Sequence, residues 1–247
     1  MKRFFLQLAY DGTNYHGWQV QDNAHTVQAE LEEKLGLLLR REIKLTGCGR
    51  TDTGVHAREF YAHFESDGLP LEKNDLVYKL NRFLPSDIAV YNLFSVASGF
   101  HARYSAVQRT YRYYISRKKN PFNTAYSYYL NAPLDMQEMN RAAADLLMYK
   151  DFTSFSKLHT QTATNFCKIV EACWEIRQDG MLVFTISADR FLRNMVRAIV
   201  GTLLEIGMKR MDVTSFGKII ESKNRSEAGF SVPAKGLFLE KIIYPEW

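Results

Sequence analysis

Two hydropathy periods alternate along this chain, and their alternation constrains its fold more than any other feature. Residues 3–10, centred on Phe5, Leu6 and Leu8, read as a strand. Thr26 is placed as a helix N-cap, after which Val27, Leu31, Leu35 and Leu38 recur at helical spacing to about Arg40. A strand near 42–47 leads into a glycine-bearing loop. Phe60, Ala62 and Phe64 then alternate with Tyr61, His63 and Glu65, the pattern of a half-buried strand. A helix over 72–84 sets Leu76, Leu80 and Leu84 on one face and stops at Pro85, and strand-like Ile88–Val96 closes the first half. The second half repeats the theme. A strand over Arg109–Arg117 puts Tyr111, Tyr113 and Ile115 on one face, and a helix covers 135–148. Strands over 168–177 and 181–187 flank the hairpin signal Asp179-Gly180. An apolar helix over 191–206, a helix over about 213–222 and a strand over Leu237–Ile243 complete the pattern. Such runs predict an α+β fold of two lobes, 1–104 and 105–247, each a mainly antiparallel sheet with helices on one face.

The loop between the first half's strands is the most informative stretch of the chain. Residues 47–54 hold three glycines, one arginine and one carboxylate: Gly47, Gly49, Gly54, Arg50 and Asp52. Glycine admits positive φ and close approach of other groups. A carboxylate on such a loop, two residues from a guanidinium, is mounted to meet a substrate; read as a bare Arg-Thr-Asp, it also fits an Asx-type turn joining two strands.

Charge and composition narrow the function classes. The net charge is +5, with basic residues gathered at Arg109, Arg112, Arg117, Lys118 and Lys119 and again at Arg190, Arg193 and Arg197. Basic residues interleaved with aromatics are the footprint of a nucleic-acid binder, although ordinary surface decoration has the same composition. No stretch approaches the roughly 18 apolar residues of a membrane span. The opening Met1-Lys2-Arg3-Phe4-Phe5-Leu6 loses its apolar character at Asp11, too early for an export signal. Cys48, Cys167 and Cys173 are odd in number and widely spaced, which suits a reducing cytoplasm. His16, His56, His63 and His101 share no metal-ligand spacing, and no Gly-Lys-Ser/Thr phosphate loop is present, so no metal is expected.

The run Gly49-Arg50-Thr51-Asp52-Thr53-Gly54-Val55-His56-Ala57 resembles the signature of the tRNA pseudouridine synthase A family. Tyr10-Asp11-Gly12-Thr13 with Gly17-Trp18-Gln19, Thr26–Glu32, Phe100–Ala106, Arg109–Tyr113, Asp151–Phe155, Phe191–Arg197 and Gly236–Leu239 are similar to further family segments, in order along the chain. Thr53 departs from the family's usual alanine without removing a functional group.

The resemblance implies two lobes with a cleft between their sheets, and isomerisation of uridine to pseudouridine at tRNA positions 38–40, in the anticodon stem-loop. It implies Asp52 as the essential aspartate, Arg50 as the residue that fills the gap left by a flipped base, and Arg197 as the basic partner of the aspartate. Tyr111 corresponds to the active-site tyrosine and Leu237 to an apolar pocket wall. Tyr113 is better read as core. The product is an isomer of the substrate, so stoichiometry calls for no cofactor. A homodimer that grips tRNA, in the cytoplasm and off the membrane, is implied as well.

The residues alone leave two other classes open. One is a carboxylate-based nucleoside or glycoside hydrolase, for which Glu59 or Glu65 would be the second carboxylate. The other is a non-catalytic RNA-binding module, which has no need of Asp52.

Overall fold

A computed structural model describes residues 1–157 and 164–246. Its described residues form nine strands, mostly antiparallel, and five α-helices. They divide into two compact units, Met1–Val107 with Leu239–Trp247, and Gln108–Phe238. Residues 239–247 therefore belong with the first unit, where chain order alone puts them with the second half.

In the first unit, β1 (Lys2–Tyr10), α1 (Val27–Leu39), β2 (Thr46–Gly47), β3 (His56–Ser66), α2 (Lys73–Phe83) and β4 (Ile88–Val96) follow in order. β1 lies between β4 and β3, antiparallel to both. Period two along β1 and β3 sends Phe4, Leu6, Leu8, Phe60, Ala62 and Phe64 to one face, all buried. Leu31 and Leu35 of α1 and Leu76 and Leu80 of α2 are fully buried as well, as their spacing requires. Thr26 caps α1, its Oγ1 accepting from the Ala29 N–H at 3.3 Å. The expected strand over 42–47 shrinks to two residues. Its backbone instead meets α1 side chains: the Leu45 N–H donates to Glu32 Oε1 at 2.7 Å, and Gln28 Nε2 donates to the Leu45 carbonyl at 2.9 Å.

The opposite face of β1 and β3 is aromatic and buried too at Phe5, Tyr61 and His63, so β3 is not the half-buried strand its alternation suggests. Phe5 stacks on His63 with ring centroids 5.5 Å apart, and Phe100 meets Phe5 edge-on at 5.8 Å. Tyr244 closes this face by donating its hydroxyl to the Ala102 carbonyl at 2.6 Å. The last strand, β9 (Leu237–Ile243), neighbours β3, with the Ile242 N–H on Glu59 Oε1 at 2.8 Å.

In the second unit, β5 (Gln108–Ser116), β6 (Tyr128–Tyr129), α3 (Met136–Asp145), β7 (Ile169–Ile176), β8 (Leu182–Ala188), α4 (Met195–Gly207) and α5 (Ser215–Ser222) follow in order. β8 lies between β5 and β7, antiparallel to both, and β6 adds a short parallel pairing to β5. The hairpin at Asp179-Gly180 forms as expected, with Gly180 at φ 79°. The apolar helix starts at Met195, four residues later than the hydropathy suggests. Asn194 is left-handed at φ 67°, which breaks helical continuity, while Leu192 before it is still buried. Arg193 therefore lies outside α4. It does not share a helix face with Arg197, as a helix from 191 would require.

His63 makes one consequence measurable. Burial, with Arg3 and His101 nearby, pushes its pKa down to about 4, against an opposing pull from Glu65. The ring stays neutral in the fold, while in the unfolded chain it takes a proton near pH 6.5. The contribution of His63 to stability is thus fully present above about pH 6.5 and is lost as pH drops towards about 4, because the unfolded chain binds the extra proton. Ring titration by NMR is expected to place the His63 midpoint near 4; a midpoint near 6.5 contradicts this.

Candidate active site

Two segments far apart in sequence build the Asp52 loop. Asp52 opens a turn closed by the Val55 N–H donating to the Asp52 carbonyl at 3.1 Å. Gly54 sits at φ 76°, at the third position, where a type II turn calls for glycine. The segment after β1 packs its backbone directly onto this turn. A Cβ on Gly12 would lie 2.0 Å from the Val55 carbonyl oxygen, and one on Gly17, whose φ is 88°, would lie 2.3 Å from that of Thr51. The Trp18 N–H donates to the Thr51 carbonyl at 3.4 Å, and the Gly54 N–H donates to that of Tyr15 at 3.3 Å.

Side chains fasten the same junction. Tyr10 Oη and Thr51 Oγ1 share a hydrogen bond of 2.9 Å. Buried His56 has Nδ1 3.1 Å from the Gly12 N–H and 2.9 Å from Asp11 Oδ1. Asp11 Oδ1 also accepts from the Thr13 N–H at 2.9 Å and from its hydroxyl at 2.6 Å. Below lies an aromatic block in which Trp18 and Phe60 approach to 4.1 Å between centroids and Tyr10 meets Phe60 edge-on at 5.5 Å. Thr51 and Val55 are buried, while Asp52 between them is only half-buried. Arg50 is exposed, and its Nε donates to Gln19 Oε1 at 3.2 Å. The roles of Asp11, Gln19 and Thr51 did not stand out in the sequence, although all three lie within the two motif segments.

Tyr111, Arg197 and Leu237 belong to the second unit. Tyr111 sits on β5 opposite Ile186, half-buried, with its ring edge-on to Phe191 at 5.1 Å. Arg197 is half-buried on α4, and its Nε donates to the Val232 carbonyl at 2.8 Å, while the Val232 N–H returns a bond of 3.2 Å to the Arg197 carbonyl. Fully buried Tyr113 donates its hydroxyl to the Pro233 carbonyl at 2.9 Å, and its pKa is driven upward by burial. Segment 232–237 is thereby tied to both α4 and β5, and it ends at buried Leu237. Tyr113 is a core residue, as expected. Tyr111 shares its face of β5.

The expected basic cluster at 109–119 is not one patch. Arg109 and Arg112 point to opposite faces of β5 by the period of two. Arg109 donates to the Asp189 carbonyl at 2.6 Å, and Arg112 Nε to Thr185 Oγ1 at 3.3 Å. Arg117 donates to the carbonyls of Leu130 and Ala132 at 2.7 and 2.6 Å, which makes it a structural clamp. Lys118 and Lys119 are exposed. Among the described residues no group of three or more His, Cys, Asp or Glu side chains is arranged to hold a metal ion, and no helix is long and apolar enough to cross a membrane.

The Asp52 mounting is testable through its glycines. A residue with a Cβ at left-handed φ is strained, and at Gly17 the Cβ also collides with backbone. Gly17→Ala should lower stability by at least about 2 kcal/mol, about 4 °C or more in melting temperature. Gly49, in the same loop, has nothing within 4 Å of an added Cβ and no positive φ. Gly49→Ala is expected to melt with the wild type, and equal losses in the two variants would refute the close-approach account.

Comparison with known proteins adds independent findings. A family profile described as tRNA pseudouridine synthase matches residues 142–245. The tRNA pseudouridine synthase A of Bacteroides fragilis is 52% identical over 246 residues, covering 100% of this chain and 98% of that protein. The protein of the same name from Staphylococcus aureus is 37% identical over 246 residues, covering 99% and 92%. That from Thermoanaerobacter sp. is 39% identical over 247 residues, covering 99% and 100%.

Proposed function

The chain belongs to the tRNA pseudouridine synthase A family, and we propose that Asp52 is the carboxylate through which it isomerises uridine to pseudouridine in tRNA. The observation that carries this reading is the contrast within the loop. Thr51 and Val55 are sunk into the fold, while Asp52 between them is only half-buried on a backbone held from both sides. A catalytic group needs that combination of fixed position and partial exposure.

The reaction breaks the uracil N1–C1′ bond, turns the base and joins C5 to C1′; the C5 hydrogen leaves as a proton and N1 takes a proton up. Atoms balance without an electron carrier. An ionised carboxylate can serve at the sugar carbons. Arg50, steadied by Gln19, is the residue that occupies the space of the flipped base. Tyr111 offers a half-exposed ring edge-anchored by Phe191, suited to stack on uracil. Arg197 is the basic partner of the aspartate and Leu237 the apolar wall, both by family correspondence.

The structure gives the hydrolase alternative no support: Glu59 Oε1 accepts the Ile242 N–H, and Glu65 is ion-paired with Arg3 at the far end of β3. We also assign the anticodon stem-loop as the region modified, a homodimer as the working unit and the cytoplasm as its place. The dimer is supported by the small surface that one protomer offers to a whole tRNA. Light scattering should give twice the chain mass, and a fully active monomer would remove that assignment.

Asp52→Asn tests the central claim, since it keeps the loop's size and removes the charge. Tritium release from C5-labelled uridine in tRNA should fall by about a thousandfold or more. The melting temperature and tRNA affinity should stay near wild type. Substantial pseudouridine formation by the folded variant, free of deamidation, would falsify the assignment.

A further inference from the structure

The segment Phe100–Ala106 lies outside the Asp52 site, yet it is one of the most densely bonded turns in the first unit. The His101 N–H donates to Ser105 Oγ at 2.8 Å, and the Ser105 N–H donates to the His101 carbonyl at 2.9 Å. His101 Nδ1 accepts from the N–H groups of Arg103 and Tyr104 at 3.0 and 3.3 Å. The Ala102 N–H donates to His63 Nδ1 at 3.1 Å, and its carbonyl accepts from Tyr244. Such bonding fixes the backbone of a turn. Here it presents two residues outward: Arg103 is exposed, and Tyr104 is 75% exposed.

The rings beneath Tyr104 form a continuous column. Phe5 lies on His63 at 5.5 Å, His63 meets His101 at 4.7 Å, and His101 meets Tyr104 at 4.4 Å. The column starts in the core and ends at the surface in an aromatic ring. The Arg103 guanidinium lies over that ring, 5.6 Å from its centre. Tyr104 is thus held by its turn and by the His101 ring, yet it stays 75% exposed with the long side chain of Arg103 over it.

We propose that Arg103 and Tyr104 form a second RNA contact, in which an unpaired base of the substrate RNA stacks on Tyr104 and its phosphodiester is met by Arg103. The inference rests on the proposed tRNA substrate. An aromatic face takes any base, and the neighbouring arginine supplies the charge that the backbone demands. Because the turn is already ordered, little freedom is lost when RNA binds. His63, the second ring of the column, is seven residues along β3 from His56, a distance of roughly 23 Å at strand rise. The contact therefore lies away from the Asp52 loop that leads into His56. It should set affinity and leave the chemical step alone.

Turnover and binding of an unmodified tRNA transcript by Tyr104→Ala, Tyr104→Trp and Arg103→Gln test this. Tyr104→Ala should raise KM about tenfold or more with kcat unchanged, and Tyr104→Trp should restore a KM near wild type, because any broad π-face serves. Arg103→Gln should weaken binding and flatten its salt dependence. Melting curves of all three should overlay the wild type. An unchanged KM in Tyr104→Ala, a loss confined to kcat, or a Trp variant as weak as the Ala variant would overturn the contact. Fluorescence anisotropy with end-labelled transcript reads the same differences without catalysis. A wild type that forms no pseudouridine would then count against the proposed activity, while the Tyr104 comparison would still decide the RNA contact.

Discussion

The position of Asp52 depends on backbone packed against backbone. Gly12 and Gly17 bring one segment so close to the turn at 51–55 that a single added carbon would overlap a carbonyl oxygen. Main chain is the stiffest material available to a protein, and contacts made through it leave few rotamers to average over. The side-chain bonds around the junction, Tyr10 to Thr51 and His56 to the Asp11–Gly12 corner, add to a geometry that the glycines already impose. Fixing the carboxylate to within a fraction of an ångström is what the role proposed for Asp52 requires.

Much of this was legible in the sequence, and what was not has physical causes. Asp52 and Arg50 stood out because a carboxylate and a guanidinium among closely spaced glycines form a rare local pattern. The segment Tyr10–Gln19 was visible as a motif, but its partner was not, since a contact between residues some forty positions apart leaves no periodicity. Core positions on α2 and on one face of β1 and β3 followed from hydropathy, but α1 buries Leu39 where the spacing pointed to Leu38, and Tyr61 and His63 are buried on the face of β3 that reads as polar. Hydropathy overextends helix α4 because it reports burial, and Leu192 is buried without being helical; the left-handed Asn194 has no hydropathy signature. The stretch 42–45 looked like a strand because Ile43 and Leu45 are buried, but its hydrogen bonds go to Glu32 and Gln28.

Arginine usage teaches a related lesson. Along β5, residues that are neighbours in sequence divide between two faces, and Arg117 spends its guanidinium on the carbonyls of Leu130 and Ala132. A run of positive charge in the sequence is therefore not a patch of positive charge in space. The basic residues left for a polyanion are a subset chosen by strand pairing.

The division of the chain into units also bears on its synthesis. The first unit is interrupted: its β1, β3 and β4 are made early, while the residues that sit beside β3 and cap Ala102 come only after the whole of Gln108–Phe238. During translation the flank of β3 and the aromatic face at Phe5 and Phe100 must wait, uncovered by Leu239–Tyr244. The second unit, continuous in sequence, can fold in that interval. An N-terminal fragment ending near Val107 is then a nascent species with an open strand edge, the kind of surface that chaperones bind and that aggregates when left alone.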